Sequence, residues 1–218
     1  MAVEVDTRDC ASLTDTDLDE LASMGGAFGI GVISKAKEDW VLFTCARIDG
    51  KLHGFTFSTL ERIGGTPCVL LGLMSVKRTA KRELVLKGLM GEAFHRALMA
   101  FPDEDVVVGS RFLTADGLGT FKGLTELIPR PGHRAVGEER AWGKRLARRF
   151  GVEATYDELN FIVKNNGHGG FLDHETLKPE KISVDVALQF KSVPKAKGGV
   201  LIVHGWTMAE SLAKLGKH

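Results

Sequence analysis

Between Trp40 and Phe101 three strand-like segments are separated by two tight turns, and the last of them leads into a long amphipathic helix. No other feature of the sequence restricts the fold as much. WVLFTCARI (40–48) is rich in β-branched and aromatic residues, which pack well on a pleated surface. Asp49-Gly50 is a two-residue hairpin signal, since both positions must adopt positive φ. KLHGFTFSTLE follows, with His53, Phe55, Phe57 and Thr59 on one face. IGGTP turns the chain again, and CVLLGLMSV (68–76) supplies a third strand, completing an antiparallel meander. Gly72 inside that strand predicts a bulge or the close approach of another backbone. A helix is predicted over 80–101, with Leu86, Met90, Ala93, Phe94, Ala97 and Phe101 on one stripe and Pro102 ending it.

The flanking segments extend this pattern. Thr14, Asp15, Thr16 and Asp17 offer N-caps for a short helix through about Met24, which Gly25-Gly26 would stop. GGAFGIG has the glycines of a dinucleotide fingerprint but follows a helix and leads into VISKAKEDW, so it reads as a flexible helix stop. DEDVVVGS is a strand with Val106 to Val108 as its buried run, and 111–134 is a loop-rich insert. Val136 to Phe150 is a second helix, stopped by Gly151. YDELNFIVK reads as a further strand and NNGHGG as a flexible turn. ISVDVALQF and GGVLIVHGW read as two more strands, and AESLAKL as a closing helix. The predicted class is α+β, with a central mixed, mostly antiparallel sheet flanked by helices; crossover helices imply at least one parallel pair. Residues 1–165 would form the main domain, with its insert near 111–135. Residues 166–218 would be a C-terminal extension that completes or extends the sheet. An extra tail strand could pair with a neighbour's edge and give a homodimer.

Composition excludes several classes. The chain has 218 residues, 44% apolar and 26% charged, enough for a sizeable core, and its net charge of +1 provides no overall field for nucleic acid or membrane. Any electrostatic site is therefore local. No apolar run approaches the ~20 residues needed to span a bilayer, and MAVEVDTRDC has no signal core. Cys10, Cys45 and Cys68 read as reduced, mostly buried thiols and point to a cytoplasmic protein. The second helix carries Arg140, Lys144, Arg145, Arg148 and Arg149, extended by Arg130 and Arg134. Glu138 and Glu139 have no cation three or four residues ahead to neutralise. Aromatic interleaving is sparse, so the stripe reads as a solvated face and nucleic acid is not the expected partner. His168, Asp173 and His174 do not have metal-ligand spacing, and no metal is expected.

The chemistry concentrates in LGLMSVKRTAKRELVLKGLM (71–90). A strand enters a turn bearing Lys77, Arg78, Lys81 and Arg82, and a helix leaves it. Helix N-termini attract anions through their unpaired amides and positive dipole end. Yet no glycine lies between Val76 and Leu86 to let a phosphate approach the backbone. A phosphate site and a solvated basic turn both remain open on these residues alone.

The order of elements resembles the GNAT acyltransferase superfamily over about Thr14 to Lys164. In the family turn V-x-x-x-x-[QR]-x-x-G-x-[GA], Val76 and Lys81 take the first two defined places, while Leu84 and Leu86 stand where the small residues are expected. LARRFGV (146–152) is similar to the family's L-Y-E-[KR]-x-G-F. Leu146, Arg149 and Gly151 match, and Ala147 replaces the tyrosine that often serves as general acid. The resemblance implies an acyl-CoA-dependent N-acyltransferase that uses acetyl-CoA or a longer acyl-CoA as substrate and a small-molecule or protein amine as acceptor. It assigns donor binding to Met74, Ser75, Val76, Lys81, Arg82, Glu83 and Leu84, and oxyanion stabilisation to amides near Leu73 to Val76. Such a reaction needs a base for the amine and an acid for the leaving thiolate. Glu61 is the candidate base, with His53 and Glu126 behind it, and Tyr156, the one tyrosine, is the candidate acid. The alternative is a catalytically inactive binding or regulatory protein on the same fold.

Overall fold

The computed structural model describes residues 2–25, 28–165, 172–179 and 181–216. Along them the chain forms β1 (Glu4–Asp9), α1 (Asp15–Gly25), α2 (Ile30–Asp39), β2 (Leu42–Ile48), β3 (Lys51–Ile63), β4 (Thr66–Val76), α3 (Arg82–Ala100), β5 (Val106–Phe112), β6 (Thr125–Ile128), α4 (Gly137–Arg149), β7 (Tyr156–Asp157), β8 (Ile162–Val163), α5 (His174–Leu177), α6 (Val184–Gln189), β9 (Val200–Thr207) and α7 (Ala209–Leu215). These divide into two compact units, Met1–Val106 with Thr207–His218, and Val107–Trp206. The class is α+β, with mostly antiparallel pairing and helices flanking the strands, as the sequence predicts. Among the described residues no helix is long and apolar enough to cross a membrane.

In the first unit β1, β2, β3 and β4 lie side by side, each antiparallel to the next. Both hairpins turn through paired positive-φ residues, Asp49 (51°) with Gly50 (73°) and Gly64 (59°) with Gly65 (89°). This is the backbone twist that two-residue loops require. Pairing places Val5, Ala46, Gly54 and Val76 in one row across the sheet. A Cβ on Gly54 would lie 2.7 Å from Val85 and 3.2 Å from Leu89 of α3, so the missing side chain lets the start of α3 lie directly on β3. The opposite face carries Phe43, Phe55 and Phe57, with centroids 5.3 and 6.1 Å apart in edge-on pairs. On this face α1 is tied to the strands by Arg8–Asp17 (2.6 Å) and by the two-pronged Arg47–Glu20 pair (2.5 and 2.8 Å).

The β3–β4 register slips once. Thr56 faces Met74, but Ser58 faces Leu71, so β4 has one extra residue around Gly72 and Leu73. The bulge expected at Gly72 is there. The group approaching Gly72, however, is a side chain rather than a backbone: a Cβ would fall 2.2 Å from Cε2 of the buried Trp40 indole. Helix α1 begins as predicted, with a reciprocal box in which the Asp17 carboxylate accepts the Thr14 N–H (2.8 Å) and Thr14 Oγ1 accepts the Asp17 N–H (3.3 Å). Donation from Thr14 and Arg8 outweighs partial burial and holds the Asp17 carboxyl down at about 2. The sequence reading contains neither β1 nor α2. The alternation of β1 is that of a short, charged edge strand, and the N-cap and first turn of α2 (Gly29 to Ile33) hold two glycines and three β-branched residues, all weak helix formers.

In the second unit β9 lies between β5 and β8, with β7 outermost and β6 also paired to β9. Helix α4 approaches through small residues. Leu146 rests on Gly109 of β5, where a Cβ would be 3.0 Å from it, and Gly143 accommodates Tyr156 and Phe161. The helix ends in a Schellman motif: the Gly151 N–H (φ 71°) donates to Arg148 O, and the Val152 N–H to Ala147 O (2.9 Å). Two expectations are corrected here. ISVDVALQF is not a strand; it forms α6, whose cap Ser183 accepts the Val186 N–H (3.4 Å). YDELNFIVK is not one strand but the β7–β8 hairpin. The Asp157 carboxylate accepts from Leu159 N (3.0 Å) and Asn160 Nδ2 (3.1 Å), and Phe161 takes φ 59°, so the chain reverses. The insert holds a 3-10 helix (Ala115–Phe121) as well as β6. The NNGHGG turn beyond Asn165, the Gly26 stop and His168 lie outside the described residues.

Candidate functional site

The site is built by the row of small residues under α3. Because Gly54 and Ala46 have little or no side chain, the first turn of α3 sits at the end of the β3–β4 ladder. The ladder closes there with the Lys77 N–H donating to His53 O (2.7 Å). The connecting turn is held from within: Thr79 N donates to Lys77 O, Lys81 N to Thr79 Oγ1 (3.3 Å) and Arg82 N to Thr79 O (3.0 Å). Helical bonding starts with Val85 N donating to Lys81 O (3.0 Å). The Glu83 and Leu84 amides between them have no acceptor among the described residues. The N-cap is Lys81, at φ −94° and ψ 1°, with no side-chain cap bond. Two orphan donors thus coincide with the positive end of the longest helix among the described residues.

The two leucines that replace the small residues of the family turn diverge. Leu84 is 49% exposed, and Leu86, at 6%, is packed into the core among Val85 and Leu89. Lys77 and Lys81 are half-buried and Arg78 is exposed. Arg82 lies low, its guanidinium 2.7 Å from the Glu83 carboxylate, which cancels part of the local positive charge.

His53 belongs to the same neighbourhood. Burial, and then the charges of Lys77 and Lys81, hold its imidazole below the ordinary histidine range, so it is neutral near pH 7. Its buried Nδ1 has no hydrogen-bond partner among the described residues.

Of the residues named from sequence, Met74, Ser75, Val76, Lys81, Arg82, Glu83 and Leu84 fall together, at the buried end of β4 and the first turn of α3. Glu61 falls elsewhere. It pairs with Cys68 near the Gly64-Gly65 turn, seven residues along β3 from Gly54, or about 23 Å at strand rise. Its charge adds to the burial that pushes the Cys68 thiol up to about 12. All three cysteines are free and buried. Tyr156 and Glu126 belong to the second unit. The Tyr156 hydroxyl is enclosed beside Gly143, its ring 6.4 Å from Phe161 and edge-on to it; burial raises its pKa, so the phenol keeps its proton. Glu126 is exposed at φ 53° in β6. Among the described residues no group of three His, Cys, Asp or Glu could hold a metal ion. Asp173 caps α5, its carboxylate accepting the Thr176 N–H (3.1 Å). Gly54 is the residue that sequence reasoning passed over. Its one signal was a glycine inside an otherwise apolar strand.

The α4 cations are balanced differently from expectation. Glu138 reaches Arg145, seven residues on, at 2.8 Å, and Arg148 pairs with Glu153 at 2.9 Å. Glu139 turns back to His133 (2.8 Å) and to the Val136 N–H (2.7 Å).

No protein-family model and no curated protein matches the sequence. Solved structures do. An aminoglycoside acetyltransferase from an uncultured soil metagenome, crystallised with sisomicin, is similar at 14% identity over 49% of this chain and 76% of that one, with a TM-score of 0.38. The aminoglycoside 6'-N-acetyltransferase of Enterococcus faecium is similar at 13% identity over 56% of this chain and 73% of its own, with a TM-score of 0.39. The ribosomal-protein-S18-alanine N-acetyltransferase of Escherichia coli is similar at 12% identity over 62% and 86%, with a TM-score of 0.37. Two of these are named for aminoglycosides and one for a ribosomal protein, and neither substrate passes to this chain at such identities.

Proposed function

We propose that the first unit binds the diphosphate of an acyl-CoA at the β4–α3 turn and that the protein is an acyl-CoA-dependent N-acyltransferase acting on a small-molecule or protein amine. One observation carries the reading. The Glu83 and Leu84 amides have no acceptor among the described residues at an uncapped helix start, beside Lys77 and Lys81, with Leu86 buried and Leu84 exposed at the edge of the turn. Such an end favours an anion through partial charge, two point charges and directed N–H groups together. The diphosphate would take the amides, and Met74, Ser75 and Val76 would flank the pantetheine arm. His53, neutral and next to the turn, would border the bound diphosphate.

The test is thermal denaturation with acetyl-CoA, longer acyl-CoAs and free coenzyme A. A ligand at a hundred times its Kd stabilises the native state by about 2.7 kcal/mol. A clear rise in Tm that falls in Lys77→Ala and Lys81→Ala supports the site, and no rise with any of the three ligands defeats it. The enclosure of the Tyr156 phenol favours a second reading, in which the same turn binds coenzyme without turnover. In that case the Tm rise persists and no acyl transfer is detected to any amine.

A further inference from the structure

The second unit contains a pocket of about 520 Å³ between the segment that precedes α4, the β7–β8 turn and α6. One wall is basic: Arg130, Arg134 and Arg140 all line it. The remaining lining is mixed, with Leu159 (66% exposed), Leu188 (54% exposed) and the buried Phe161 alongside Asn160, Gln189 and Ser192. None of the three arginines has a carboxylate within ion-pair distance among the described residues. Arg130 Nη1 and Arg140 Nε are buried and have no hydrogen-bond partner among the described residues. Glu139 is the nearby carboxylate, but its oxygens are taken by His133 (2.8 and 2.9 Å) and the Val136 N–H (2.7 Å), while its carbonyl accepts from His204 (3.2 Å). Those bonds fix the loop that holds Arg130 and Arg134 against the helix that holds Arg140.

Buried guanidinium donors without acceptors are costly, and a protein that keeps two in one pocket is suited to a guest that satisfies them. Guanidinium forks match the oxygens of phosphate, and their charge does not titrate away. Three such charges would be under-compensated by a single carboxylate, whereas a phosphate monoester carries nearly two charges and three acceptor oxygens. The volume lies within the range of small-molecule sites and leaves room for an organic body against Leu159 and Leu188.

We infer that this pocket binds the phosphate monoester of a small, partly apolar molecule through Arg130, Arg134 and Arg140. Phenyl phosphate is a suitable probe, with inorganic phosphate, benzoate and a short single-stranded RNA as comparisons, titrated calorimetrically into the full chain. None of these carries a thioester or a pantetheine arm, so the outcome is independent of the acyl-transfer reading. The expected result is one saturable site for phenyl phosphate with Kd below about 1 mM, displaced by inorganic phosphate and at least tenfold tighter than benzoate. Arg130→Met and Arg140→Met should each weaken it at least tenfold, and Arg134→Ala, at an exposed position that does not threaten folding, several-fold. Without ligand, Arg130→Met and Arg140→Met should melt at the parent temperature or higher, because each removes an unsatisfied donor. Equal affinity for benzoate, no saturation by any phosphate probe, undiminished binding in the three variants, or RNA binding that phenyl phosphate does not displace would each overturn the inference.

Discussion

Replacing Gly72 by alanine is the most direct test of how β4 is shaped. The backbone there is not in the left-handed region, so alanine meets no torsional barrier, and a Gly→Ala change at such a position ordinarily stabilises by about 0.4–1 kcal/mol. The structure predicts the reverse. The new methyl would lie 2.2 Å from Cε2, 2.4 Å from Cζ2 and 2.7 Å from Cδ2 of Trp40, far inside contact distance. The indole is buried at the end of α2, so relief requires the ring to swing or the bulge to move, at about 2–3 kcal/mol for overpacking of this kind. In a chain of this size that is a fall in Tm of about 4–12 °C. The discriminating assay is a double-mutant cycle with Trp40→Leu, read by urea denaturation. Trp40→Leu alone costs less than the about 3–5 kcal/mol of truncation to alanine. In that background the methyl has room, and Gly72→Ala should cost nothing or stabilise slightly, giving a coupling of about 2–3 kcal/mol. An equal cost in both backgrounds, or no cost in the parent, would show that the indole does not shape the strand.

Further outcomes follow from the same geometry. Gly54→Ala places a methyl 2.7 Å from Val85 and 2.9 Å from Val76, and it should lift the start of α3, lowering both Tm and the stabilisation given by acetyl-CoA; a variant that melts and binds like the parent refutes the close-approach argument. Tyr156→Phe removes a buried hydroxyl without a partner among the described residues, so Tm should hold or rise, and any measured acyl transfer should be unchanged; a large loss of rate with intact stability would make the phenol the acid after all. His204 is buried and its imidazole is pushed down to about 4 by burial, against 6.5 when unfolded. The unfolded chain therefore binds the extra proton between those values, and stability is full above about pH 6.5 and falls by up to about 3 kcal/mol as pH approaches 4. His204→Phe should flatten this part of the stability profile in urea melts, and an unchanged slope would place the titration elsewhere.

Much of the first unit was legible because its signals are local. Asp49-Gly50 and Gly64-Gly65 dictate their own turns, the stripe from Leu86 to Phe101 dictates a helix, and Thr14 with Asp17 dictates a cap. What escaped depends on partners distant in sequence. The strand at Glu4–Asp9 exists because β2 offers it an edge, not because EVDTRD favours extension. Helix α2 forms although Gly29 and Gly31 open it, because Ile33, Ala36 and Trp40 bury one side, a spacing that could have been read. ISVDVALQF alternates like a strand, but Ser183 caps it as a helix. At the site, the cationic turn was legible and its occupancy was not. Whether Leu84 points out or in is settled by the angle of α3 on the sheet, and that angle is set by Gly54, thirty residues away.

A glycine in a phosphate turn removes a side chain from the path between ligand and amide. In this chain the helix reaches its position because side chains are absent or small underneath it, at Gly54 and Ala46, and the turn itself, Lys77 to Lys81, contains no glycine. Helical side chains lean toward the N-terminus, so Leu84 borders the orphan amides from outside rather than capping them. The path to Glu83 N and Leu84 N is therefore narrowed on one side by an apolar wall. Leu84→Ala should leave stability within about 0.5 kcal/mol, since the side chain is exposed, and should bind acetyl-CoA as well as the parent or better. Leu86→Ala removes a core side chain and should cost about 2–5 kcal/mol. If Leu84→Ala abolished the acetyl-CoA response while the fold survived, the leucine would be a contact the ligand needs, and anion capture by the helix end alone would be the wrong account of the site.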